Sequence, residues 1–216
     1  MNRIDDKCYY EFRKIMVERQ LVARGIIDSA VLDAMGKVLR QEFVPDDLKI
    51  HAYEDRPLPI GFGQTISQPY IVAYMMEALQ INSCSKVLEI GAGAGYQSAI
   101  LAEIVDEVHS VEIIEELFEI AKKNLERLNY HNVTVHLGDG SLGLERFAPY
   151  DAVIAACAAD EIPANLIDQL KVDGNIAIPV GLPNNHQTLH ILKKTSNTKL
   201  NSLAEVGVRF VPMIRQ

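Results

Sequence analysis

Cysteine is scarce in this sequence. Its three thiols, Cys8, Cys84 and Cys157, are odd in number and widely spaced, which excludes a disulfide framework and a zinc-ligand pattern. Free thiols fit a reducing compartment, and the cytoplasm is the expected location. Positive charge is also in deficit: 21 basic side chains against 29 acidic ones leave a net charge of −8. Such a chain has no electrostatic footprint for a phosphate backbone, so nucleic acid is not an expected partner. No apolar run approaches the roughly 18 residues of a membrane helix, and no membrane partner is expected. The opening residues Met1 to Lys7 lack the apolar segment of a secretory signal. The histidines His51, His109, His131, His136, His186 and His190 show no metal-ligand spacing. Internal repeats and low-complexity tracts are missing as well.

What is present is an ordinary globular composition: 216 residues, of which 48% are hydrophobic and 23% charged. A chain of this size buries roughly 70% of its unfolded surface and needs neither disulfide nor metal for a core. One structural domain is expected, with residues 1–80 supplying N-terminal helices and a loop packed on an α/β core of residues 81–216. The charge says nothing about subunits; a monomer is slightly preferred.

Periodicity divides the chain. Helices are predicted over Tyr9–Arg24, closed by Gly25, and over Asp28–Leu39, with Asp28 as N-cap. A loop rich in breakers follows, with Pro57, Pro59, Gly61, Gly63 and Pro69, and then a helix over Pro69–Leu79. From residue 86 short apolar strands alternate with helices. The strands are Val87–Ile90, Val108–Glu112, Val133–Leu137, Asp151–Ala155 and Asn175–Val180. The helices are Tyr96–Val105, Glu115–Leu128 and Ala164–Leu170. Alternation of this kind means right-handed βαβ crossovers and a mostly parallel, doubly wound sheet. Thr188–Lys194 and Ala204–Pro212 follow each other without a helix, which predicts an antiparallel hairpin at one side of the sheet.

In such a sheet, ligands bind at the carboxyl ends of the strands where strand order reverses. The first parallel strand ends in Glu89-Ile90-Gly91-Ala92-Gly93-Ala94-Gly95. Alternating glycines let the backbone approach a ligand, and the following helix aims free N–H groups at it. Tyr96 occupies the place of the last glycine of a dinucleotide fingerprint, so a nucleoside without a pyrophosphate fits better. Glu112 ends the second strand, where a carboxylate accepts from ribose hydroxyls, and Asp139 ends the third, within Gly138-Asp139-Gly140, beside an adenine amino group. Glu89, Glu112 and Asp139 on adjacent strand ends suit a cationic ligand.

Val87 to Gly95 resembles the first motif of class I S-adenosylmethionine-dependent methyltransferases, a Rossmann-like fold. The upstream run Pro57-Leu58-Pro59-Ile60-Gly61-Phe62-Gly63-Gln64-Thr65-Ile66-Ser67-Gln68-Pro69-Tyr70 resembles the signature of the protein-L-isoaspartate (D-aspartate) O-methyltransferase family. Gly138-Asp139-Gly140, Pro149 to Ala152, Ile162-Pro163, Ile178 to Gly181 and Val208-Arg209-Phe210-Val211-Pro212 match it too. The resemblance runs from about residue 15 to the end. It implies a protein-repair methyltransferase that moves a methyl group from S-adenosylmethionine to the free α-carboxylate of L-isoaspartyl residues in damaged proteins and peptides. The ester then closes to a succinimide, and the product is S-adenosylhomocysteine. It also implies roles: Ser67 beside the substrate carboxylate, Thr65 and Ile66 lining the same loop, and Val211 and Pro212 bordering the peptide. Glu89, Gly91, Gly93, Gly95, Glu112, Asp139 and Gly140 would hold the cofactor.

Such a transfer needs no general base, because a carboxylate is already ionised at neutral pH. Ser67 therefore reads as an orienting donor, and no nucleophile elbow surrounds it. A capping role for Ser67 competes poorly, since Gln68 precedes Pro69 and is the better N-cap. Two departures from the family pattern stand out. Ala156 to Asp160 lacks the usual proline, so a more mobile loop is expected there, and Ala94 replaces a serine. Rival readings are an aspartate carboxylate methyltransferase acting on one biosynthetic peptide and a non-catalytic nucleoside-binding module.

Overall fold

The computed structural model describes residues 6–182 and 185–215. Its frame is a seven-stranded sheet in the order β5-β4-β3-β6-β7-β8-β9. The strands are β3 (Lys86–Ile90), β4 (Glu107–Glu112), β5 (Val133–Leu137), β6 (Tyr150–Ala155), β7 (Leu170–Val180), β8 (Gln187–Ser196) and β9 (Lys199–Val208). The first five run parallel, while β8 is antiparallel to both its neighbours. The doubly wound sheet with a terminal hairpin expected from the sequence is thus present. The chain steps outward from β3 to β5, then returns to lay β6 on the other side of β3. Strand order reverses at that point, which is where a crevice opens beyond the carboxyl ends.

Successive side chains of a strand face opposite sides, and the two faces carry separate cores. Val87, Ala152, Ile154 and Ala177 pack with the N-terminal helices. Leu88, Ile90, Val153 and Ile176 pack with the α6 side. The central strands are buried on both faces, which accounts for their continuous apolar runs.

The N-terminal layer confirms the predicted helices with one change of winding. Helix α1 (Asp6–Ile15) passes into a π-helical turn, Met16–Leu21, and a 3₁₀ turn, Val22–Arg24. Residues five apart fall well to different sides of an α-helix but nearly align in the wider turn, so Met16 and Leu21 both reach the core at 0% exposure. Gly25 closes the run at φ 95°. Asp28 caps α2 (Ser29–Lys37) by accepting from the Val31 N–H at 3.1 Å.

The breaker-rich segment is not all loop. Leu58–Gly61 and Gln64–Ile66 form an antiparallel hairpin, β1–β2, with Leu58 opposite Ile66. Its tip, Gly61-Phe62-Gly63, has three consecutive positive φ values of 91°, 53° and 71°. Two glycines remove the steric penalty at two of those three positions. Helix α3 (Pro69–Leu79) then starts with Pro69 at N1 and Gln68, not Ser67, in the cap position.

In the α/β half, α4 (Tyr96–Ile104) and α5 (Glu115–Arg127) match expectation. Helix α6 is shorter than predicted (Ala164–Asp168), because Leu170 already pairs with Tyr150 and opens β7 five residues early. The hairpin strand β9 ends at Val208, and residues 209–213 leave the sheet edge. They cross to the 156–160 segment, where Ala158 bridges Pro212 and Ala159 bridges Val180. The Ala158 N–H donates to Val211 O at 2.8 Å and Met213 N–H to Ala158 O at 2.7 Å. The segment expected to be mobile for want of a proline is therefore tied on both sides by backbone hydrogen bonds.

Candidate functional site

The loop from β3 to α4 holds Gly91, Gly93 and Gly95 at φ 88°, 55° and 95°. L-residues with side chains rarely adopt these angles, so the glycines allow the chain to fold back over the strand ends. Gly91 and Ala92 N–H groups both donate to Val111 O, at 2.8 and 3.2 Å. Glu112 completes the fastening: its Oε2 accepts from Gly93 N–H at 2.8 Å, and its Oε1 from Ile113 and Ile114 N–H at 2.9 and 3.0 Å. This carboxylate is 5% exposed, and it still lines a cleft. With only one donor on Oε2 and two on Oε1, it keeps acceptor capacity for a hydroxyl.

At the next strand end, Asp139 Oδ1 accepts from Ser141 N–H at 2.9 Å and caps a 3₁₀ turn, Gly140–Leu142. Gly140 lines the cleft. A Cβ added there would stand 2.4 Å from Ile90 Cγ2, so only glycine permits this approach of the turn to β3.

Glu89 requires a correction. It is 0% exposed and does not line the cleft. Glu89 stands beside Ser110 in the β3–β4 register and faces α4, so its Oε2 accepts from Ser110 Oγ at 2.6 Å and from Ser98 Oγ. Its Oε1 has no hydrogen-bond partner. Burial pushes this carboxyl up to about 7, against the pull of the Ser110 and Ser98 hydroxyls. It supports the floor of the site from below.

The cleft is walled by Thr65, Gly91, Gly93, Glu112, Val211 and Pro212, with apolar cover from Ile113, Leu117 and Met213. A second groove runs past Ser67, Tyr70, Ile71, Val208 and Phe210. The two share Thr65, Val211 and Pro212 as a common wall. A small recess joins Thr65, Ile66 and Ser67 to Gly91 and Gly93. Of the residues expected from sequence to face substrate and cofactor, Thr65, Ile66, Ser67, Gly91, Gly93, Glu112, Gly140, Val211 and Pro212 line these adjoining spaces, whereas Gly95 and Asp139, like Glu89, line none of the three. Ser67 lies where the groove and the recess meet, and its carbonyl is held by Arg40 Nη2 at 2.7 Å.

Two residues of the site escaped the sequence. Arg40 carried no signal, because a single arginine in a short amphipathic run reads as solvated. Cys157, read from sequence as one of three unpaired thiols, lines the cleft. Burial pushes its thiol up to about 12, with the Glu112 carboxylate adding to the effect. Iodoacetamide at pH 8 should therefore alkylate exposed Cys8 and Cys84 while Cys157 reacts about a hundredfold more slowly or less, as read by mass spectrometry. Equal rates for all three would show that the thiol is not so held. Among the described residues no cluster of potential metal ligands is found.

Glycines at the switch point, a carboxylate at the next strand tip, and a sheet ending in an antiparallel hairpin define a class I S-adenosylmethionine-dependent methyltransferase fold. The chain belongs to the protein-L-isoaspartate(D-aspartate) O-methyltransferase family, whose model matches residues 13–216. A Picosynechococcus protein-L-isoaspartate O-methyltransferase is 52% identical over 201 residues, covering 93% of this chain and 89% of the relative. A solved protein-L-isoaspartate O-methyltransferase superposes with a TM-score of 0.83 at 31% identity, over 93% of this chain and 65% of that one. A Plasmodium falciparum protein-L-isoaspartate O-methyltransferase, solved in complex with S-adenosyl-L-homocysteine, shares the fold. It has a TM-score of 0.79 at 24% identity, over 94% of this chain and 99% of that one.

Proposed function

We propose that this chain transfers the methyl group of S-adenosylmethionine to the free α-carboxylate of L-isoaspartyl residues in damaged proteins and peptides. The observation that carries the reading is the shared wall of Thr65, Val211 and Pro212 between the cleft at the strand ends and an open groove. Two reactants in neighbouring cavities face each other across that wall, and the recess that joins Ser67 to Gly91 and Gly93 lies beside it, with Thr65 lining all three spaces. In this reading residues 1–80 form the substrate side and residues 81–216 the cofactor core.

The residues of the cleft suit the cofactor. Gly91 and Gly93 leave room at the strand end, Glu112 would accept from a ribose hydroxyl, and Asp139 and Gly140 would flank the adenine. When bound, the cofactor supplies an electrophilic methyl on a sulfonium, whose departure leaves a neutral thioether. The chain contributes orientation. The substrate carboxylate arrives ionised, since its pKa lies near 4, so no residue needs to take a proton. The Ser67 hydroxyl donates to one carboxylate oxygen and leaves the other free to attack, with Thr65 and Ile66 shaping the passage. Holding two reactants in line lowers a barrier by roughly 7–11 kcal/mol in favourable cases. Val211 and Pro212 border the peptide backbone. The methyl ester then closes spontaneously to a succinimide by attack of the neighbouring amide nitrogen, with loss of methanol.

The test is a paired assay with labelled S-adenosylmethionine. One peptide carries a single L-isoaspartate, and its twin carries aspartate at the same position. Label is expected on the first alone. Label on the twin would favour a methyltransferase for ordinary aspartate, and label on neither would leave a nucleoside-binding module.

A further inference from the structure

Arg40 is the largest fully buried side chain of the described residues, at 0% exposure. Its Nε donates to the Ala52 carbonyl at 2.6 Å and its Nη2 to the Ser67 carbonyl at 2.7 Å. The guanidinium carbon stands 4.6 Å from the centroid of the Tyr96 ring, and Nη1 has no hydrogen-bond partner. Both acceptors are neutral carbonyls, and burial lowers the guanidinium from its ordinary pKa. Burying a cation among neutral partners is costly, and an apolar side chain would fill the same space at less expense. What an apolar side chain cannot do is hold three separate pieces of chain. Ala52 follows the 3₁₀ turn Asp46–His51, Ser67 belongs to the active-site loop, and Tyr96 is the first residue of α4, directly after the glycine loop. The guanidinium is a rigid planar fork, so its two donated bonds and its stacking on the ring fix these pieces relative to one another.

We infer that Arg40 is a positioning residue for methyl transfer: it locks the backbone of Ser67 at a set distance from the cofactor loop. The inference rests on the reading of Ser67 as the orienting donor. Arg40 lines neither cavity, so it acts on the reaction through the backbone of Ser67, with Ala52 and Tyr96 as its anchors. Lysine keeps the charge but, as a point donor on a flexible stem, cannot reproduce the fork.

A double-mutant cycle on kcat tests this, with isoaspartyl peptide and S-adenosylmethionine both saturating. Ser67→Ala retains measurable turnover, because no bond to Ser67 is made or broken. Arg40→Lys should lower kcat about tenfold or more in the wild-type background, since small misplacements are expensive in an aligned displacement. In the Ser67→Ala background the same change should cost less than about twofold. S-adenosylhomocysteine affinity should stay within about threefold of wild type throughout. A merely structural arginine would cost the same factor in both backgrounds, and that result overturns the inference, as does a loss confined to S-adenosylhomocysteine affinity. Should Arg40→Lys fail to fold by circular dichroism, Tyr96→Leu removes the ring under the guanidinium and must show the same non-additivity with Ser67→Ala. A Ser67→Ala enzyme with undiminished kcat would instead refute the orienting role of Ser67, and the inference would fall with it. Loss of isoaspartyl specificity in the paired assay remains a separate failure.

Discussion

Glu112→Ala should weaken S-adenosylhomocysteine binding by about a hundredfold or more, measured by isothermal titration, while circular dichroism stays unchanged. A hydrogen bond to a carboxylate acceptor contributes roughly 1.5–3 kcal/mol, and a ribose hydroxyl would lose its own. That contact is worth about one to two decades of affinity, and the rest of the loss comes from the protein alone. Glu112 also holds Gly93, Ile113 and Ile114 N–H groups, so its removal loosens the cradle as well as the contact. Glu112→Gln keeps one acceptor oxygen and should fall between the two. Binding within about threefold of wild type in the alanine variant would mean that the ribose lies elsewhere.

The second large effect concerns stability, at Glu89. Its carboxyl is pushed up to about 7 by burial, while the unfolded chain releases the proton near 4.5. The folded state thus holds a proton that the unfolded state does not between those values. A raised carboxyl of this kind contributes stability fully below pH 4.5 and loses it as pH rises through 7. A shift of this size corresponds to about 3 kcal/mol. Glu89→Gln removes the titration but keeps an acceptor for Ser98 and Ser110. Urea unfolding of the two proteins from pH 5 to pH 8.5 should therefore show a difference that grows in favour of glutamine by up to about 3 kcal/mol. Parallel curves would mean that Glu89 is not held neutral. The effect on turnover should be smaller, since Glu89 does not line the cleft.

The parts of this molecule that were legible in the sequence are those set by local pattern. Strand–helix alternation from residue 86 onward reports the parallel sheet, because buried parallel strands and amphipathic crossover helices have different periods. The glycine loop and Gly140 were readable for a steric reason: few other residues allow those approaches. The β1–β2 hairpin was not readable, since strands of four and three residues are too short for their alternation to stand out, and Pro59 argues against a strand. Nor was the π turn at Met16–Leu21, whose winding is chosen by the core it packs against. Glu89 was misplaced because its position next to the glycines says nothing about which face it takes. Ser98 and Ser110 were the available clue: two hydroxyls on buried elements need an acceptor facing them. Arg40 could be found only in three dimensions, because its acceptors are backbone carbonyls, which leave no mark on side-chain pattern.

The crossing of residues 209–213 from the sheet edge to Ala158 has a consequence for length variation. The β8–β9 ribbon is fastened at one end by its tight turn and at the other by this strap, where Val211 and Pro212 are held against Ala158. Extra residues at the turn would bulge harmlessly outward. One residue added or lost between Val208 and Val211 would slide the partition shared by both chambers, misaligning donor and acceptor without touching either.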